Sequence, residues 1–224
     1  MIAIESPPSI DLISDVVCPW CFVGKRRLDA ALSRAGLAGA TVRWHPFELN
    51  PDIPEAGMDR RAYLEAKFGD AGGANTYARV REAGAGSGID FAFDRIVRQP
   101  NTRAAHRLVW WVQSQAQDAT PLMERLFRGY FLEGRSLAGH DALLALAADA
   151  GVDAAAAGAF LASDAGAAEV RQAEQRAQEI GVSGVPFFIF AQRLAVSGAQ
   201  GVDLLVDALR QASSPDPAAT AART

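Results

Sequence analysis

Apolar and polar residues alternate through Ser9, Ile10, Asp11, Leu12, Ile13, Ser14 and Asp15, a spacing that predicts a strand. The period then lengthens. Cys21, Gly24, Leu28, Ala31, Leu32 and Ala35 fall on one stripe of a helix over 19–35, with Lys25, Arg26, Arg27 and Arg34 largely off it. Gly36 is placed to stop this helix. A second strand is predicted over 41–45, ended or held at a sheet edge by Pro46, and the breakers at 50–54 mark a loop. These segments make one βαβ unit.

From about 59 to 181 helical patterns dominate and little strand is evident. Residues 101–117 carry Ala104, Ala105, Leu108, Val109, Trp111 and Val112 at helical spacing. Thr120 and Pro121 open another helix, with the threonine hydroxyl as cap and Leu122, Leu126, Tyr130 and Phe131 as its buried face. Helices follow over 141–150, 153–162 and 164–180, each with an aspartate at its start, where the helix dipole favours it. After Gly181 the pattern returns to strand: 186–190 is strongly apolar, 193–197 can pair with it as a hairpin, and 201–212 is amphipathic. The order predicts an α/β protein of thioredoxin-like fold with an inserted all-helical subdomain. Residues 1–8 form a tail, 9–58 and 181–212 the discontinuous thioredoxin-like domain, and 59–180 the helical insert. The small and polar 213–224 form a tail unable to bury enough to stay ordered.

A length of 224 residues is enough to bury a core without disulfide staples. The net charge of −4 supplies no basic field for a phosphate backbone, which argues against nucleic acid as a partner. No apolar run approaches the ~18 residues that suggest a membrane-spanning helix, so a membrane partner is not expected. The first eight residues do not read as a secretory signal, which makes the cytoplasm the expected compartment.

Chemistry concentrates at the only two cysteines, Cys18 and Cys21, between the first strand and the first helix. A cysteine at a helix start faces free amides and the positive end of the dipole, which favour its thiolate. Cys18 is therefore the expected nucleophile. Cys21, nearly one turn deeper, is the expected resolving thiol, which breaks a mixed disulfide formed at Cys18. Pro19 suits the first helical position, and Trp20 is expected to offer an aromatic surface beside an exposed Cys18 sulfur. The triplet Lys25-Arg26-Arg27 reads mostly as a solvated helix face that also adds a little to thiolate stabilisation.

A structural disulfide is the first alternative, but closing so short a loop gives only about 2 kcal/mol by chain entropy. A zinc site is the second. It wants four ligands, and His45, His106 and His140 are isolated in sequence with no second C-x-x-C, so no metal is expected.

Gly184-Val185-Pro186-Phe187 is the other informative stretch, since a proline opening an apolar strand after a glycine suits a tight, cis bond, although trans is the commoner state of any X-Pro bond. Five segments together resemble the DsbA family, FrnE-like branch: V-C-P-W-C-F-V-G-K at 17–25, W-H-P-F-E-L-N-P at 44–51, Q-P-N-T-R-A-A-H-R-L at 99–108, G-V-S-G-V-P-F-F-I-F at 181–190 and V-S-G-A-Q at 196–200. The resemblance implies a thiol–disulfide oxidoreductase with Pro186 cis and packed on the cysteine pair. Val185 would then offer its backbone N–H and C=O to an extended substrate. It also implies that Asn101, Thr102 and His106 face the site and bind substrate; the residues alone read equally as a helix cap and a packed histidine.

Protein thiols and disulfides, and glutathione, are the partners implied, with no cofactor beyond the Cys18–Cys21 couple. The Pro19-Trp20 pair departs from the Pro-His of strongly oxidising relatives. No second cysteine pair exists to relay electrons within the chain. Two other functions share the architecture: a glutathione-dependent transferase or 2-hydroxychromene-2-carboxylate isomerase, which usually has serine where Cys18 stands, and a chaperone or binding module with idle cysteines.

Overall fold

Ile10–Ser14 form β1, and all five residues are buried, so the polar positions of the alternation face structure rather than solvent. The cause is the strand's central place, covered on both faces. Asp11, on this strand, is held by the Arg43 guanidinium at 3.0 Å and by His45 at 2.8 Å. Residues 7–214 are described in the computed structural model, apart from the side chains of 70–76. Residues 1–6 and 215–224, which make up most of the two expected tails, therefore lie outside the description.

From β1 the chain turns into α1, Pro19–Arg34, and returns as β2, Val42–Pro46, parallel to β1 with Leu12 opposite Trp44. Gly36 stops the helix as expected, at a φ of 75° that other residues rarely adopt. The hairpin of β5, Phe187–Phe190, and β6, Leu194–Ser197, completes a sheet of order β2-β1-β5-β6. β5 runs antiparallel to β1, with Ile13 opposite Phe187. The closing helix, Val202–Ser213, packs against α1.

Between the two halves of the sheet lie α2, Arg60–Ala85; α3, Arg103–Ser114; α4, Thr120–Phe131; α5, His140–Asp149; α6, Ala154–Leu161; and α7, Ala167–Glu179. The closing helix is thus α8. The insert also carries a two-stranded ribbon that periodicity did not reveal, β3 at Met58–Asp59 against β4 at Arg98–Gln99, too short to show an alternation. Asp153 caps α6 by accepting from the amides of Ala155 and Ala156. Thr120 does not cap α4, contrary to expectation: its hydroxyl accepts from the Trp44 indole at 3.1 Å, tying the helix to β2.

β2 is an edge strand, and the carboxamide of Gln113 on α3 occupies its outer side. The Trp44 amide donates to Gln113 Oε1 at 2.7 Å, and Gln113 Nε2 donates back to the Trp44 carbonyl at 2.9 Å. The insert and the sheet also share one continuous core. Phe22 of α1 stacks on Phe127 of α4 with centroids 5.2 Å apart, and Phe91 meets Phe131 edge-on at 5.4 Å. Arg26 covers the Phe22 ring at 5.1 Å.

The basic triplet is a correction to the sequence reading. Lys25 is only 7% exposed, bridging Asp29 at 2.8 Å and Glu124 of α4 at 2.9 Å; Arg26 reaches the same Glu124, and Arg27 donates to the Ala199 carbonyl. These cations join α1 to its neighbours rather than facing solvent, and carboxylate partners neutralise Lys25 and Arg26. Because the core is continuous, Phe127→Ala should lower stability by about 3–5 kcal/mol in a single urea transition reported alike by tryptophan fluorescence and far-UV circular dichroism.

Candidate active site

The strand β1 ends at Ser14, and Asp15-Val16-Val17 carry the chain into Cys18, which caps α1 with extended backbone angles (φ −89°, ψ 111°). Pro19 occupies the first turn, where its fixed φ fits and its missing N–H is no loss. The Cys18 carbonyl accepts from the Cys21 amide at 3.0 Å, which sets the two sulfurs on one side of the first turn. No disulfide joins the two cysteines in this structure.

Across from them the Val185–Pro186 peptide bond is cis, and the Cys18 thiol donates to the Val185 carbonyl at 3.6 Å. Pro186 is buried against Gly24, one turn beyond Cys21, where an added methyl would come within 2.8 Å of Pro186 Cγ. The Pro186 carbonyl is tied to the Gly198 amide at 2.8 Å. The structure thus brings Cys18, Cys21, Val185 and Pro186 together, with Pro19 and Trp20 half-buried beside them. Two details differ from expectation. Cys18 is 3% exposed rather than open to solvent, and the Val185 carbonyl meant for substrate is occupied by the Cys18 thiol.

Cys21 is fully enclosed. Burial pushes its thiol well above the ordinary value, the neighbouring Cys18 adds to the rise, and Ser14 with the Asp15 backbone works against it. Beneath the pair lies Asp15, wholly buried, whose oxygens accept from the amides of Val17 at 3.3 Å and Leu49 at 2.8 Å. His106 Nε2 stands 3.4 Å from Asp15 Oδ1. Burial alone would lower the His106 pKa, but Asp15, Glu174 and Glu48 outweigh it and raise the group above 6.5.

Of the three insert residues expected to bind substrate, Thr102 and His106 are enclosed at 4% exposure, so neither forms the wall of an open cleft. Asn101 is half-buried; its side chain accepts from the Arg103 amide at 3.0 Å and donates to the Ile53 carbonyl at 2.8 Å, which makes it a clasp at the start of α3. Sequence reasoning missed Ser14, Asp15, Glu48 and Glu174 as site residues. Glu48 pairs with Arg103 at 3.0 Å, and its amide donates to Glu174 at 2.7 Å. Burial, then the charge of Glu48, raises Glu174. An aspartate between two apolar stretches beside the cysteine motif was the one available signal. Among the described residues no three His, Cys, Asp or Glu side chains converge as metal ligands.

With this geometry in place, the model of the DSBA-like thioredoxin domain matches residues 9–210. The chain belongs to that family. Among solved structures it is similar to a probable DsbA oxidoreductase from Streptomyces coelicolor, 31% identical with a TM-score of 0.83, covering 93% of this chain and 91% of that one. The cytosolic disulfide reductase DsbM from Pseudomonas aeruginosa, solved with GSH, shares the fold at 19% identity and a TM-score of 0.65, over 91% of this chain and 98% of that one. A 2-hydroxychromene-2-carboxylate isomerase shares it equally well, at 19% identity and a TM-score of 0.66, over 90% of this chain and 94% of that one. As a DSBA family member, the chain has the thioredoxin-like α/β fold with a helical insert that the sequence implied.

Gly24→Ala should force the Pro186 loop away from α1 at a cost of about 1–3 kcal/mol, visible as a lower urea midpoint. For His106 the folded-state pKa is raised, so its stabilisation is complete below pH 6.5 and is lost as pH climbs through the folded value. Unfolding free energies taken from about pH 6 to about pH 9 should fall across that window, and His106→Asn should remove this part of the slope.

Proposed function

We propose that this chain is a thiol–disulfide oxidoreductase that exchanges disulfides with protein or glutathione substrates through Cys18 and Cys21. The observation that carries the reading is the Cys18 thiol at the tip of α1, 3.6 Å from the Val185 carbonyl and beside the cis Pro186. Cys18 attacks a substrate disulfide and forms a mixed disulfide; Cys21 then attacks Cys18, and the second substrate thiol leaves. The order of events follows from position. Cys18 adjoins the loop at which a substrate strand would dock, while Cys21 lies enclosed behind it.

An extended substrate takes over the Val185 carbonyl from the Cys18 thiol as the sulfur engages it, by strand addition. Pro186 contributes no amide proton at this point, so hydrogen bonding there runs through Val185. Half-exposed Phe47, Val185, Phe187 and Ile189, packed over Ile13 and Val182, give an incoming protein segment an apolar surface next to the sulfurs. With only two cysteines in the chain, electrons leave or enter through another molecule. Glutathione suits that part, in keeping with the GSH named with DsbM. No dedicated cofactor is invoked.

The described residues include no helix long and apolar enough to cross a membrane, and the cytoplasm is the compartment proposed, as named for DsbM. In domain terms, 9–58 and 181–212 hold the exchange site and 59–180 covers it. The isomerase architecture is as close as that of DsbM, though not as close as that of the Streptomyces coelicolor protein, and the retained dithiol favours exchange over a glutathione-dependent isomerisation.

Insulin reduction by wild type, Cys18→Ser and Cys21→Ser tests the reading. Wild type should turn over, Cys18→Ser should lose activity to background, and Cys21→Ser should accumulate a mixed disulfide detectable by mass. Equal rates for wild type and Cys18→Ser would point instead to a chaperone with idle cysteines.

A further inference from the structure

Cys21 must lose a proton whenever it attacks Cys18 and regain one whenever it is released, yet it is fully enclosed. Bulk water does not reach it. Two polar atoms nearby have no assigned partner. The Ser14 hydroxyl adjoins the Cys21 thiol and favours its ionised form, but makes no hydrogen bond of regular geometry. His106 Nε2 lies within ion-pair reach of Asp15 and is likewise without a regular hydrogen bond. Both side chains line the same small cavity of ≈ 10 Å³, closed by Trp44, His45, Val109 and Met123. A space of that size holds about one water, and a buried water is stable where polar groups of this kind face it.

We propose that Ser14, one ordered water in this cavity, and His106 held by Asp15 form the proton route that serves Cys21 during exchange. The inference rests on the thiol–disulfide reading above and deepens it by naming the groups that carry the proton. During resolution the Cys21 thiol passes its proton to the Ser14 hydroxyl, Ser14 passes its own to the water, and the water protonates neutral His106 at Nε2. The Cys21 sulfur bonds to the Cys18 sulfur, the Cys18–substrate bond breaks, and the substrate sulfur leaves with that bond's electron pair and takes a proton from solvent. In the opposite direction an incoming thiolate opens the Cys18–Cys21 bond, and the departing Cys21 thiolate regains its proton from the His106 imidazolium along the same path.

The surroundings suit a group that works in both directions. Facing His106 are Asp15 from the turn after β1, Glu48 from the loop after β2 and Glu174 from α7, while His45 of β2 lines the same cavity and Arg103, on the same helix, is bound to Glu48. The cysteine pair of α1 lies on the far side of Ser14. Asp15, Glu174 and Glu48 favour the imidazolium against the burial that opposes it, so the group that receives the proton is stabilised in its charged form. Ser14 touches the reacting sulfur and is a catalytic residue on this assignment. His106 and Asp15 act through Ser14 and the water, and are positioning residues.

The test is stopped-flow reaction of the reduced full chain with an aromatic bis(nitrobenzoate) disulfide, which releases one coloured thiolate when Cys18 attacks and a second when Cys21 resolves. In His106→Asn the second phase should slow at least about tenfold more than the first, and the pH inflection of its rate should disappear. In Ser14→Ala the second phase should again slow selectively and its inflection should weaken, because the path to His106 is cut; this variant decides the matter if the histidine change prevents folding. Both phases slowing equally, or an unaltered ratio and pH profile in the variants, would overturn the relay while leaving the oxidoreductase reading intact. Release of a single coloured equivalent by the wild type would overturn both.

Discussion

The antiparallel pairing of β1 with β5 is the constraint on which the site depends. With Ile13 opposite Phe187, the end of β1 lies beside the start of β5, so the turn leaving the first strand must meet the loop entering the second. That turn carries the cysteines, and that loop carries Val185-Pro186. Residues 167 positions apart thereby come within hydrogen-bond reach, and no direct interaction between the two loops has to bring them there. The close approach of Pro186 to Gly24 shows how little space is left once the strands are in register.

The insert does more than roof this arrangement. Its helices α3 and α7 bring His106 and Glu174 to the back of the cysteine turn, and the loop after β2 brings Glu48. Buried charge is costly unless it is paired and hydrogen-bonded. Here Asp15 receives two backbone amides, Glu48 an arginine, and Glu174 the Glu48 amide. A further helix of the insert, α4, stacks Phe127 on Phe22 of α1, so the insert is held against the cysteine helix by packing as well as by charge.

Much of this was legible in the sequence because it is written in local signals. The first strand, the cysteine helix, the edge strand ended by Pro46, and the hairpin after Pro186 each carry their own period or breaker. The cysteine pair and the proline loop were legible for the same reason. The illegible part depends on contacts between distant segments. Nothing in the neighbourhood of Lys25 announces that Glu124 will bury it, and nothing near Thr120 announces that an indole will claim its hydroxyl. His106 was singled out by resemblance, yet its place behind the cysteines, rather than in front of them, comes only from how α3 docks on β2.

That docking has one more effect. A strand at the rim of a sheet offers its amides and carbonyls to any passing peptide, an invitation to aggregate. At Trp44 the Gln113 carboxamide satisfies one donor and one acceptor in the way a neighbouring backbone would. A protein that takes extended segments by strand addition, as proposed above, must keep them from pairing at the wrong edge. A single glutamine acting as a counterfeit peptide group closes that rim at Trp44.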